Sequence, residues 1–162
     1  MPTARRYTTI TLRPHPIQFL INELPLLLLC LSALAYGGTA APFSLPSMYA
    51  GLMLLPLLCY KYERLRGTLY IITGEQIKKG EGLLTRDEDY VELYRVVDYV
   101  ERKTLLQQLF GLKTVTILSG DRTTPRLTLQ GIPATQDLVA LIRERVEYTK
   151  TQKPIYEITN RL

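Results

Sequence analysis

Few side chains in this 162-residue chain are of the types that do covalent chemistry, and none is spaced with a companion. The single histidine, His15, stands between Pro14 and Pro16, with no partner for base catalysis or metal ligation. Cys30 and Cys59 lie inside two apolar stretches and read as small apolar filler. Gly80-Glu81-Gly82 lacks the Lys-Ser/Thr and the helix that complete a phosphate loop. Asp87-Glu88-Asp89 are adjacent, where a calcium loop alternates its ligands, so they read as a solvated acidic turn or edge. Asp98 and Glu101 fall on opposite faces of a strand pattern and cannot share a proton locally. Ser119 has no base. The reading is of a protein that is not an enzyme, with no cofactor and no metal.

What remains is binding chemistry. Lys78, Lys79, Arg102, Lys103 and Lys113 are candidate contacts for a lipid headgroup or a small anion. A cation near an anionic bilayer contributes on the order of 1 kcal/mol. The same five residues also fit an ordinary solvated face.

The elements that would position them begin with the charge distribution. The net charge is +5, but residues 67–148 hold eleven Lys/Arg against twelve Asp/Glu. The basic excess sits on the flanks: Arg5, Arg6 and Arg13, then Lys61, Arg64 and Arg66, then the tail. A nucleic-acid-binding domain carries its basic patch on the fold itself, so nucleic acid is excluded as a partner. Juxtamembrane anchoring fits.

Between His15 and Lys61 the only charged side chain is Glu23. One apolar segment runs from Ile17 to Tyr36, about 30 Å as a helix and enough to cross a bilayer core. A second, Leu45 to Tyr60, is short unless Lys61 and Arg64 snorkel. The uncharged Gly37–Ser44 lies between them. The positive-inside rule then places both termini in the cytoplasm and the loop outside. Gln18, Asn22, Glu23 and Pro25 weaken the start of the first span. Either Ile17–Glu23 is an interfacial turn or Glu23 is buried in the leaflet. Burial of a carboxylate costs on the order of a few kcal/mol, which favours the interface. A secretory signal built on Leu24–Ala35 is a rival reading, disfavoured by the long, proline-containing lead and the second span that follows at once.

After residue 67 the pattern becomes strands. Gly67–Thr73, Gln76–Lys79 and Leu83–Arg86 read as strands, with Gly80-Glu81-Gly82 as a tight turn needing positive φ. Tyr90–Leu93 leads to the central unit, Arg95–Leu118. That unit alternates like a strand, then places Leu105, Leu106, Leu109 and Phe110 at helical spacing, stops at Gly111 and resumes as a strand. Leu105, Leu109 and Phe110 are expected to be core or packing residues. Arg126–Gln130 is the last strand, and Gly131-Ile132-Pro133 is expected to break the sheet. Leu138, Leu141, Ile142 and Val146 then form one helical stripe, with Thr135 as the expected N-cap. Residues 149–162 show no periodicity and read as a flexible tail.

Several of these pieces resemble the bacterial PH-like domains of the YdbS/YdbT type. They are Tyr70–Thr73 before a glycine turn, Gly82-Leu83-Leu84, Leu93–Val100, the run Leu105–Leu112 and Leu129–Pro133. Arg-Pro-His-Pro at 13–16 ahead of a double span is similar too. The resemblance implies an α+β chain: a two-helix transmembrane hairpin (17–66) after a short cytoplasmic segment (1–16). A bent antiparallel sheet of about seven strands follows (67–148), capped by a C-terminal helix. It implies a fold, not a chemistry. The acidic Asp87–Asp89 departs from what an anion pocket near Lys78 and Lys79 would want.

Three functions follow. One is a membrane-anchored interaction or scaffold module, binding a protein partner or itself through sheet edges and loops. Another is recognition of anionic lipid or a small anion. The third is a small subunit of an oligomeric transporter or channel, with Glu23 as its membrane polar residue.

Overall fold

A computed structural model describes residues 7–82 and 87–152. The chain opens with a strand, β1 (Ile10–Leu12), and enters α1 (Ile17–Gly37) through Arg13-Pro14-His15-Pro16. Six residues later α2 (Ser44–Gly67) returns along α1. The return is tight because small residues line it. A Cβ on Gly51 would meet the Leu34 side chain at 2.8 Å, and one on Gly37 would meet the Met48 backbone at 2.7 Å. Close backbone approach of this kind holds helices together where lipid removes the hydrophobic drive.

Two antiparallel sheets follow. The first has the order β1-β2-β3-β4, with β2 Leu69–Ile72, β3 Gln76–Glu81 and β4 Asp87–Glu92. A 3-10 turn at Leu93–Arg95 leads to the second sheet, β5-β6-β7. Its strands are β5 Val96–Arg102, β6 Leu112–Ser119 and β7 Arg126–Pro133, with the short helix α3 (Leu105–Leu109) between β5 and β6. The terminal helix α4 spans Leu138–Gln152. The core lies between sheets and helix: Tyr70, Ile72, Ile77, Val91, Val115, Ile117, Leu127, Leu129 and Ile132 pack with Leu138, Ile142 and Val146. The period-2 and period-3.6 patterns thus face one another, as a two-layer domain requires.

The α+β class and the terminal helix agree with expectation, and several details are corrected. The sheet is two sheets of four and three strands, not one bent sheet. Residues 10–12, within the N-terminal segment 1–16, add a strand to the first sheet. They pair with β2, Ile10 opposite Ile72 and Leu12 opposite Tyr70. Three polar-apolar residues are too short to register as a strand without the neighbour that supplies the ladder. Among the described residues only α1 is long and apolar enough to cross a membrane. Lys61, Glu63, Arg64 and Arg66 make the end of α2 strongly polar. α1 is one continuous helix from Ile17, with no separate turn over Ile17–Glu23.

Gly80 and Glu81 stay in β3, and of the expected turn only Gly82 takes positive φ. Asp87–Asp89 form the exposed outer strand, so the acidic run is an edge. Charge on an open edge also discourages unwanted pairing. The strand expected at Leu83–Arg86 lies outside the described residues. Gly131 does not break the sheet; β7 runs through to Pro133. Its φ of +68° and the register shift opposite Lys113–Val115 make a bulge there. A side chain at Gly131 would meet the Gln18 Cβ at 3.0 Å and the His15 nitrogen at 3.1 Å. Asp137, not Thr135, caps α4, its carboxylate accepting the Ala140 N–H at 3.1 Å. α4 also runs past 148, and Arg145 and Thr149 on it are buried.

Candidate functional site

The clearest built site lies where the hairpin meets the second sheet. Thr104 and Gln107 form a reciprocal capping box that sets the first turn of α3. The Gln107 side chain accepts the Thr104 N–H at 3.1 Å and the Thr104 hydroxyl accepts the Gln107 N–H at 3.2 Å. The Gln107 amide nitrogen donates to Gln18 Oε1 at 2.9 Å and to Thr114 Oγ1 at 2.8 Å. Gln18 donates in turn to Asn22 at 2.7 Å, and Asn22 to Gln130 at 3.3 Å. Gln18 and Gln107 are each only 2% exposed. This relay joins α3, β6, α1 and β7 by neutral groups whose bonds are met inside the protein. His15 adds a backbone bond, its N–H donating to Gly131 O at 2.9 Å.

One turn higher on α1, Glu23 accepts from Lys61 of α2 at 2.7 Å. The carboxylate that weakened the first span in the sequence therefore has its counter-ion at the same level. Below it, Arg64 of α2 reaches Glu81 of β3 at 3.3 Å, and Lys79 also binds Glu81. Burial would push the Glu81 carboxyl up, but Lys79 and Arg64 outweigh it and hold it below the usual range. Glu23, Lys61, Arg64 and Glu81, with Asn22, Thr68 and Gln130, line a polar cavity of about 300 Å³ between hairpin and sheets. A second cleft of about 240 Å³ lies beside it, with Arg13 and Arg66 over Pro14, Pro16, Tyr62 and Leu65. At the opposite edge of the domain, Arg145 closes the first sheet. Its guanidinium donates to the carbonyls of Ile72 and Thr73 at 3.0 Å and of Thr8 at 2.9 Å.

The five cations singled out from the sequence fall into two groups. Lys78 and Lys79 are successive residues of β3 and so point to opposite faces. Lys79 is engaged by Glu81 and stands opposite Asp89 of β4. Arg102 ends β5, Lys103 precedes α3 and Lys113 is the second residue of β6. Lys113 is 4% exposed and donates to Glu101 at 3.0 Å, while Lys103 binds the same carboxylate at 3.2 Å. The hydrogen bond from Lys113, with help from Lys103, holds Glu101 below its ordinary pKa. Lys79, Lys103 and Lys113 thus already have anionic partners. Lys78 and Arg102 have no ion-pair partner among the described residues.

Leu105, Leu109 and Phe110 are not core. They are 84%, 76% and 46% exposed. Helical spacing pointed to a packed stripe, but the inward face of so short a helix is taken by Gln107. The signal for that was present in Thr104-x-x-Gln107, a capping-box spacing. The signal for Arg145 was its place three residues after Ile142 and seven after Leu138, on the apolar face. Among the described residues no cluster of His, Cys, Asp and Glu could hold a metal ion.

Two antiparallel sheets closed by one C-terminal helix, with a long helical hairpin inserted after the first strand, define a PH-like domain carried on a helical stalk. The model of the bacterial PH domain family matches residues 23–146, and the chain belongs to that family. No curated protein and no solved structure matches it.

Proposed function

We propose that this chain is a non-enzymatic, membrane-anchored interaction module. Its hairpin sits in the bacterial plasma membrane, and its PH-like domain is held at the cytoplasmic face with both termini on that side. The observation that carries this reading is the outward surface of α1. Leu20, Leu24, Leu28, Leu29 and Leu31 are all exposed, a stripe that water would not tolerate on an isolated stalk. α2 presents Leu45, Leu52, Met53, Leu55 and Leu57 in the same way. Because α2 packs back along α1, a bilayer crossed by the first helix is crossed again by the second. Its apolar part is about 24 Å long, and Lys61 and Arg64 at its end reach the headgroups by snorkelling. The basic residues flanking both helices favour the cytoplasmic side. Open strand edges offer a protein partner or a second copy a place to add a strand.

The test is membrane fractionation with a carbonate wash, paired with a reporter fused after Leu162. Retention in the pellet with a reporter active in the cytoplasm supports the reading. Release by carbonate, or a reporter active only outside, overturns it.

A second reading, contact with anionic headgroups, is favoured by the Arg13–Arg66 cleft more than by the five cations named from the sequence. That cleft has an apolar floor and opens beside the start of α1. Charge reversal of Arg13 and Arg66 should then lower binding of the reconstituted chain to soluble short-chain phosphatidylglycerol. Unchanged binding removes this reading.

A further inference from the structure

Three exposed apolar side chains, Leu105 and Leu109 of the five-residue α3 and Phe110 just after it, need an occupant. Thr104–Gly111 contains no charged residue, and Leu105 and Leu109, one turn apart, point away from the Gln107 side that faces the protein. Gln107 bonds to Gln18, so α3 is fixed beside the first turn of α1. Exposed Leu20 and Leu24 follow within two turns of Gln18, on the side of α1 away from it, so α3 lies at the level where the surface that faces lipid in the reading above begins. Arg102, exposed, next to α3 and without an ion-pair partner among the described residues, supplies positive charge at the rim, with Lys103 beside it paired to Glu101. An apolar patch rimmed by cations beside the entry of a span has the composition of an interfacial membrane helix.

We infer that α3 is a membrane wedge. Leu105, Leu109 and Phe110 enter the acyl-chain border of the leaflet next to the domain, with Arg102 and Lys103 at headgroup level. The inference rests on the membrane-anchored reading and adds a third contact to it. With the hairpin alone, the domain is held at one line; with α3 also inserted, its rotation about the hairpin is fixed, and so is the direction in which β4 faces.

The chain contains no tryptophan, so one substitution gives a single fluorophore. The full chain carrying Leu109→Trp is reconstituted into phosphatidylethanolamine–phosphatidylglycerol vesicles whose acyl chains are brominated at shallow or deep positions. Leu28→Trp, on the exposed face of α1, reports the span by itself. Leu105→Trp stands in for Leu109→Trp if that variant does not fold. The expected result is blue-shifted emission that loses most of its intensity to shallow bromine and is indifferent to aqueous iodide. If Leu28→Trp is quenched by bromine while Leu109→Trp is quenched by iodide alone, the wedge is overturned and the span stands. Blue-shifted emission insensitive to both quenchers means that protein, such as a second copy, covers α3, and also overturns the wedge. An unquenched Leu28→Trp overturns the span and the wedge with it.

Discussion

Sheet β5-β6-β7 and sheet β1-β2-β3-β4 both meet the base of the hairpin, but through different chemistry. The three-stranded sheet is joined to α1 by the Gln107–Gln18–Asn22–Gln130 relay, whose central pair is buried and uncharged. The four-stranded sheet is joined to α2 by the chain itself at Thr68 and by Arg64–Glu81, whose side chains are 55% and 27% exposed. Neutral amides deep in the protein depend little on salt or pH. Their cost appears only when one partner is left without the other. Ions in contact with water are screened, and each is worth little. The difference assigns the domain's fixed orientation to the side of α3 and leaves the other side to the connecting chain.

The largest effect should come from Gln107→Ala. It removes a capping residue and leaves Gln18 and Thr114 without their buried partner, a cost of about 3 kcal/mol. Thermal unfolding of the full chain in micelles should fall accordingly. Gln18→Leu with Gln107→Leu removes both ends together and should cost less than Gln107→Ala. If the double variant is the worse of the two, the relay is not a coupled unit.

Next is Glu101→Gln, which leaves the buried Lys113 ammonium without its carboxylate and should cost about 2 kcal/mol. The same pair gives a pH test. Lys113 and Lys103 hold the folded Glu101 carboxyl below its ordinary value of 4.5, so the folded state binds fewer protons than the unfolded one there. The stabilisation is complete above about pH 5 and is lost as pH falls through 4.5 and below. Unfolding midpoints measured across that range should decline for the wild type and decline less for Glu101→Gln. Equal slopes would mean that Glu101 does not carry the acid sensitivity of this sheet.

The contrast between the sheets also separates what sequence can show from what it cannot. Tyr70 and Ile72 alternate with Leu69 and Ile71, and that alternation puts the two pairs on opposite faces, as found, while only the packed fold shows that Tyr70 and Ile72 are the inward pair. The unit from Val96 to Ser119 likewise appears as strand, helix, strand, because local spacing determines each piece. The attachments were not legible in the same way. Gln18 and Asn22 look like flaws in an apolar span until a partner 89 residues away, Gln107, is brought to Gln18. Ile10–Leu12 has no strand signal without β2 beside it. Tyr70 carries no hint in the sequence that its hydroxyl accepts the Gln130 N–H at 3.0 Å across the two sheets, or that burial pushes its pKa up to about 12. The exposed face of α3 is the sharpest case. Leucine at helical spacing implies a buried stripe only when the other face is polar and free, and here Gln107 holds that other face inside.

The smallest effect separates the two attachments most directly. Arg64→Ala removes the one side-chain ion pair between α2 and β3 among the described residues. Both side chains retain water, and Glu81 keeps Lys79, so the cost should be about 0.5 kcal/mol or less and should vanish in high salt. Amide exchange would show the same ranking locally: protection of α3 should collapse in Gln107→Ala, while that of β3 should hardly change in Arg64→Ala. If Arg64→Ala instead costs as much as Gln107→Ala, the four-stranded sheet is clamped as firmly as the three-stranded one. The domain's orientation would then be set from both sides of the hairpin.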